Sequence, residues 1–401
     1  MVTTLDVAAP GTDEATVLAL CEALLAEFPP QDTDVATFLG RQFDLGLGWV
    51  HFPVGQGGLG LSPRLQRTIN ETLLAAEAPI AAYRNIIGHG MGAPTIVTHG
   101  SAAQKDRYLR PLFTGEEIWC QLFSEPGAGS DVASLATKAV RDGDEWIING
   151  QKVWTTLAHL ARWGMLVART DPEAPKHKGM TYFVVDMHGP GVEVRPLFQL
   201  TGEAEFNEVY FTDARIPDAE RLSDVGEGWG VTLTTLMNER VAIGGGIPAK
   251  GSGFIGEAVR LFVAHGSDPV RRDPLMRLWA RAEVLRLTNI RASQKRAMGD
   301  PGPEGSIGKA LSAELNKDIT AFMMGMMGAE AMLKPEGYPM QRATHAMRWG
   351  SPQQAFLRTR ANSIEGGTTE ITKNIMGERV LGLPGDVRTD KVLPWAQVPR
   401  N

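Results

Sequence analysis

Cysteine is nearly missing. Cys21 and Cys120 are the only two in 401 residues, too few for a disulfide framework and not spaced as metal ligands. No metal is therefore expected, and the scarcity of thiols fits a reducing, cytoplasmic setting. No run of about 18 uninterrupted apolar residues occurs, so stable membrane insertion is not expected. The opening residues, MVTTLDVAAPGTDEATV, carry early acids and no basic stretch leading into an apolar one. That pattern argues against a secretory signal. Basic clusters are also lacking. The longest, such as Arg271-Arg272, are too short to bind a polyanion, and a net charge of -6 speaks against nucleic acid.

What is present is ordinary globular material, 43% hydrophobic and 21% charged, in a chain long enough for two or three domains. The expected fold class is α+β, multidomain. Residues 1–117 read as an N-terminal all-α domain, with helical spacing in TDEATVLALCEALLAEF, LQRTINETLLAAEAP and SAAQKDRYLRPLFTG. Residues 118–227 change character. EWIINGQKVWTT, WGMLVART, MTYFVVDM, GVEVRPL and NEVYFTDARI read as strands separated by Gly- and Asp-rich turns. Strand after strand without a helix-length gap predicts an antiparallel barrel or sandwich. Residues 228–401 return to helical spacing, and two long segments, DPLMRL to KRAM and GSIGKA to EAML, predict an antiparallel bundle.

Four segments could carry chemistry. LFSEPGAGSDVASL, Leu122 to Leu135, runs a strand into a loop of small residues whose N–H groups can cradle an anion. On the residues alone a tight strand-exit turn is the favoured reading. GQKVWTTLA places Trp154 on a strand before Thr155 and Thr156, either a core indole or one presented to an aromatic cofactor. Asn238-Glu239-Arg240 puts a carboxylate beside a guanidinium in an otherwise apolar helix, which suits a general base or a solvated face. NSIEGGTTEI sets Glu365 before two glycines and a helix start at Thr368 or Thr369, a plain cap or a phosphate site. Gly251 to Gly256 matches GxGxxG, but no strand precedes it, so a dinucleotide fingerprint is not expected.

At these residues the sequence resembles the acyl-CoA dehydrogenase family over nearly its whole length. GLGLS, the stretch from MGAPTIVTHG to SEPGAGSD, NGQKVWTT, DARIP, GEGWGVTLTTLMNERV and IEGGTTEITKNIMGERVLGLP follow the family's order and spacing. The resemblance implies an N-terminal helical domain, a middle antiparallel β-barrel and a C-terminal four-helix bundle. It implies non-covalent FAD between barrel and bundle, an acyl-CoA substrate oxidised to a trans-2-enoyl-CoA, and an electron-transferring flavoprotein as acceptor. It also implies a homodimer or homotetramer, with a heteromer open.

Carried over position by position, Gln121, Leu122, Ser124, Gly129 and Ser130 belong to the stretch along the flavin. Ser124 supplies a hydroxyl to its ring, and Ser130 touches flavin phosphate or acyl-CoA. Trp154 packs on the flavin, Thr156 meets its N5 region, and Thr368 and Glu370 meet the adenosine end. Three departures stand out. The family's usual base position holds Gly366, with Glu365 one residue earlier. Glu239-Arg240 instead fall where an isovaleryl-CoA dehydrogenase-like group draws its base. Glu239 is therefore the expected base, Glu365 the alternative, and Arg240 a substrate-side residue. GSDPVRRDP replaces an Arg-x-x-Phe-Gly stretch, and Gly328-Ala329-Glu330-Ala331 replaces a Gly-Gly-x-Gly loop, which leaves cross-subunit FAD contacts open. Two rival readings are a non-catalytic subunit of a heteromeric dehydrogenase and a flavin oxidase or monooxygenase on the same fold.

Overall fold

The computed structural model describes residues 12–244, 247–297, 304–335, 337, 339–344, 350–385, 387 and 390–399. Six helices come first: α1 (Thr12–Glu27), α2 (Val35–Asp44), α3 (Leu65–Ala75), α4 (Ala81–Arg84), α5 (Ala93–His99) and α6 (Ala102–Thr114). Ser101 and Gln104 form a reciprocal capping box at the start of α6, and Gly115, in left-handed conformation, ends it. Trp49, Phe43, Phe113 and His89 pack ring on ring in this region.

Eight strands follow: β1 (Trp119–Leu122), β2 (Lys138–Asp142), β3 (Glu145–Thr156), β4 (Trp163–Arg169), β5 (Met180–Asp186), β6 (Val192–Pro196), β7 (Phe206–Pro217) and β8 (Arg221–Leu222). They make one sheet in the order β6-β7-β3-β2-β4-β5-β8, with β1 beside β4. It curves around a core of Trp146, Leu166, Phe183, Val209 and Phe211. The pairing departs from all-antiparallel in two places. β1 runs parallel to β4, and β2 meets β4 in one parallel pair, Lys138 with Arg169. The reason is connectivity: the β2–β3 hairpin carries the chain across before β4 begins, as a parallel pair requires.

β4 and β5 are buried on both faces, which explains their unbroken apolar runs. Leu166, Phe183 and Val185 fill the sheet's interior, while Met165, Val167, Tyr182 and Val184 pack outward on the N-terminal helices. The remaining helices are α7 (Gly228–Gly244), α8 (Phe254–Ala264), α9 (Pro269–Ala297), α10 (Glu304–Met327), α11 (Pro352–Arg358) and α12 (Thr369–Arg379). α10 is the hub, touching α8, α9, α11 and α12. Leu275, Leu278, Leu315, Ile319 and Met323 form its core with Ile255 and Ala258. Among the described residues, no helix is long and apolar enough to cross a membrane, and no cluster of His, Cys, Asp or Glu could hold a metal ion.

Candidate active site and cofactor cleft

β1 ends at Leu122, and a tight turn follows in which Glu125 and Ala128 exchange backbone hydrogen bonds of 2.9 and 3.0 Å. Pro126, Gly127, Gly129 and Ser130 face solvent, and a Cβ at either glycine would meet nothing within 4 Å. The open rim of the turn is therefore free to meet a ligand. Leu122 is different: its side chain is wholly buried in the barrel core, so only its backbone could face a cofactor.

A buried ion pair holds the turn to β3. The Lys152 ammonium donates to Glu125 Oε1 at 2.8 Å, Val167 O at 2.8 Å and Phe123 O at 3.2 Å. Glu125 also accepts from the Ala136 and Thr137 amides at 2.6 and 2.9 Å. Burial alone would raise the Glu125 carboxyl. Lys152 and those donors outweigh it and hold the group below its ordinary value. Sequence reasoning singled out neither residue. The available signal was a lysine in the middle of a strand, next to Val153 and Trp154.

Ser124, half-buried, accepts from the Val153 amide through its carbonyl at 2.9 Å. Just there the β3–β7 register shifts, with Lys152 opposite Val209 but Thr155 opposite Asn207. This bulge turns Trp154 outward at φ 60°, a rare conformation for a bulky residue, leaving it 58% exposed. The indole meets Phe206 edge-on, with centroids 5.9 Å apart. The core reading of Trp154 is thus excluded. Thr156, two residues on, is half-buried, and the hydroxyl of buried Thr155 has no hydrogen-bond partner.

Glu239 comes to this face from α7. Gln121 Nε2 donates to Glu239 Oε2 at 3.3 Å, joining two residues 118 positions apart. One turn earlier, buried Thr235 meets Thr95 Oγ1 at 2.9 Å and the Tyr182 hydroxyl at 3.1 Å, which fixes α7 against both α5 and β5. Arg240 lies on α7, but its side chain is outside the described residues.

Glu365 is held differently. Arg358, 3% exposed, grips both of its oxygens at 2.9 and 2.8 Å, and Asn362 Nδ2 donates to Oε1 at 2.8 Å. Arg358 also faces Glu205 at 3.7 Å and lies over the Phe206 ring. Lys309 on α10 donates to the carbonyls of Asn362 and Gly367, pinning the Glu365 loop. Burial draws the Lys309 ammonium below its ordinary value, against the pull of Glu365, Glu370 and Glu239. Thr368 caps α12 by accepting from the Ile371 amide at 3.1 Å, the hydroxyl of buried Thr369 is unpartnered, and Glu370 is exposed in the first turn. Arg358 and Lys309 also escaped sequence reasoning: the partners of Lys309 lie 53 and 58 residues away, and Arg358 reaches Glu365, seven residues on, only because the chain turns between them.

The remaining motifs separate from this face. Gly251 to Gly253 forms the turn into α8, which contains Gly256, and among the described residues no strand directly precedes it. Arg271 pairs with Asp268 at 3.6 Å on the surface, and Gly328–Met332 is a single 3-10 turn. An exposed indole, a turn of small residues and nearby hydroxyls without partners fit a flat heteroaromatic cofactor with a phosphate tail.

Comparison with known proteins shows what the chain is similar to. Family models for the acyl-CoA dehydrogenase N-terminal, middle and C-terminal domains match residues 24–116, 120–214 and 226–381. Acyl-CoA dehydrogenase FadE34 of Mycobacterium tuberculosis is 39% identical over 368 residues, 92% of this chain and 48% of that protein. The chain thus spans about half the length of that relative. Acyl-CoA dehydrogenase IpdE1 of the same organism is 38% identical over 349 residues, 85% of each. Among solved structures, the Tcur3481-Tcur3483 steroid ACAD superposes with a TM-score of 0.72 at 25% identity, covering 95% of this chain and 100% of that one. Butyryl-CoA dehydrogenase from Megasphaera elsdenii, at 19% identity and a TM-score of 0.65, shares the fold over 94% of this chain and 100% of its own.

Proposed function

This chain belongs to the acyl-CoA dehydrogenase family, and from that premise we propose that it is a flavin-dependent enzyme placing a trans double bond between the α and β carbons of an acyl-CoA thioester. The cofactor is FAD, seated against Trp154, Thr156, Ser124 and the Gln121–Ser130 stretch, including Leu122 and Gly129, with Thr368 and Glu370 toward its adenosine end. Bound FAD supplies a hydride acceptor for the β carbon.

The protein's own part is to remove the α proton. Glu239 is the base. The carrying observation is a contrast between two carboxylates: Glu239 is half-buried and oriented by Gln121, whereas both oxygens of Glu365 are gripped by Arg358. A carboxylate held at both oxygens by a planar guanidinium is not free to turn an oxygen toward a substrate carbon. A base on a packed helix is also better held than one on a loop beside Gly366-Gly367. Ser130 and Arg240 are the substrate contacts. As the α proton leaves, Glu239 takes it and the thioester gains enolate character.

The neighbour titled the Tcur3481-Tcur3483 steroid ACAD supports a bulky polycyclic acyl group. Electrons pass to an electron-transferring flavoprotein. Phe198, Leu200, Met332 and Leu381 are largely exposed on the single chain, which supports burial against a second subunit. That subunit is either a copy or a related chain, as in the neighbour titled the ChsE4-ChsE5 complex from Mycobacterium tuberculosis. Retention of Glu239 favours a catalytic subunit over a non-catalytic one, and dehydrogenation over oxidase chemistry.

Anaerobic titration with a panel of acyl-CoA thioesters, from short linear to steroid side-chain acyl groups, tests the reading. Bleaching of the flavin band by at least one of them is expected. A protein that takes up no FAD, alone or with a related chain, or whose flavin no thioester reduces, overturns it.

A further inference from the structure

The family match ends at residue 381, yet residues 390–397 fold back onto the middle domain beside the ligand-facing turn. Trp395 and Ala396 donate backbone hydrogen bonds to Ala174 and Pro172, both at 2.9 Å. The Trp395 ring covers the Arg169 guanidinium at 4.8 Å, and its Nε1 donates to Ser134 O at 3.3 Å. The Lys176 ammonium, almost wholly buried, is shared between Asp390 and Asp131, the latter at 2.8 Å. Arg169, 2% exposed, donates to Ala133 O at 2.6 Å and Lys176 O at 2.7 Å. Two covered cations therefore tie the 390–397 segment to residues 131–135, immediately after Ser130.

The turn has little packing at Gly127 and Gly129, on either side of buried Ala128, and ion pairs hold both of its ends. Glu125, through buried Lys152, fixes one end. Asp131, through Lys176, fixes the other, and Asp390 of the 390–397 segment pairs with the same ammonium. Removing Asp390 and Trp395 would open Lys176 and Arg169 to water. The Asp131–Lys176 pair would then resemble an exposed ion pair, which contributes little.

We propose that Asp390 and Trp395 are positioning residues that hold the Gly127–Asp131 turn in register for a nucleotide pyrophosphate, the group carried by both FAD and acyl-CoA. This rests on the turn's assignment as a ligand contact under the proposed function. Pre-set N–H groups bind an anion without paying to order the loop at the moment of binding.

The test uses the double variant D390A/W395A in the full chain, with D390N/W395F as its conservative counterpart. FAD affinity is read by flavin titration of the stripped protein, and acyl-CoA KM and kcat per bound flavin in steady state. The expected result is a loss of about tenfold in one affinity, about 1.4 kcal/mol, with kcat per bound flavin within about twofold. A weaker FAD affinity identifies the flavin pyrophosphate; a raised acyl-CoA KM identifies that of CoA. The conservative variant should fall between wild type and the double alanine. If both affinities stay at wild-type values, the proposal fails, even where the melting temperature drops. Should the double variant not fold, D390A and W395A decide singly, each expected at about threefold. A wild type that holds FAD but is not bleached by any thioester overturns the proposed function alone, and the FAD arm still decides this inference.

Discussion

Arg358 grips both carboxylate oxygens of Glu365, at 2.9 and 2.8 Å, while Gln121 Nε2 donates to Glu239 Oε2 at 3.3 Å. The two acids are thus held by different partners. Glu239→Gln is expected to slow flavin reduction by about 10²–10⁴-fold, the usual contribution of a positioned base. Glu365→Gln should leave that rate within about tenfold and instead lower stability by about 1–3 kcal/mol, since Arg358 stays buried with a weaker partner. Stopped-flow reduction beside urea unfolding separates the two. The opposite pattern reverses the assignment.

Lys152 and Glu125 give a sharper stability prediction. Lys152→Met removes the ammonium but leaves its carboxylate partner buried, at an expected cost of about 3–5 kcal/mol. The double variant Lys152→Met with Glu125→Leu should recover part of that loss, because no charge is left stranded. Urea midpoints of the wild type, Lys152→Met and the double variant measure it; a double variant no better than the single one would contradict the ion-pair account.

Trp154 should behave unlike a core tryptophan. Its φ of 60° is strained for any side chain but not for glycine, and its indole is mostly in solvent. Trp154→Gly is expected to unfold within about 1 kcal/mol of wild type, relief of strain offsetting the added freedom of the unfolded chain. Its FAD affinity should fall by about 1–3 kcal/mol, the range for stacking of a base on an aromatic side chain. Flavin titration and thermal melts on the same sample read both.

His89 makes stability depend on pH. Burial pushes its imidazole down to about 4, although its contact with Phe113 O works the other way. The folded value lies below the unfolded one of about 6.5, so between them the unfolded chain holds a proton that the folded chain does not. Stability from this group is therefore complete above pH about 6.5 and declines as pH falls toward 4. The loss from pH 7 to 5 should be about 1–2 kcal/mol, and His89→Phe should reduce it. Urea midpoints at the two pH values provide the check.

Much of this was legible in the chain. Helical spacing marked α7, α9 and α10, and the apolar runs of β4 and β5 were legible because both their faces are covered. SEPGAGSD and GQKVWTT marked the face where the candidate site lies. What stayed hidden depended on contacts between distant residues or on a break in periodicity. Glu125 and Lys152 lie 27 residues apart, Gln121 and Glu239 lie 118 apart, and no local pattern pairs them. Strand alternation alone could not fix the exposure of Trp154, since a one-residue bulge between Lys152 and Thr155 resets which side chains face inward.

Thr235 bonds to Thr95 and to Tyr182, so one hydroxyl on the base-bearing helix touches the N-terminal helices and the barrel together. Chimeras that exchange a single module with a homologue would break this three-way junction unless threonine, threonine and tyrosine travel as a set. Recombination points chosen from sequence alone would cut through a unit that the fold treats as indivisible.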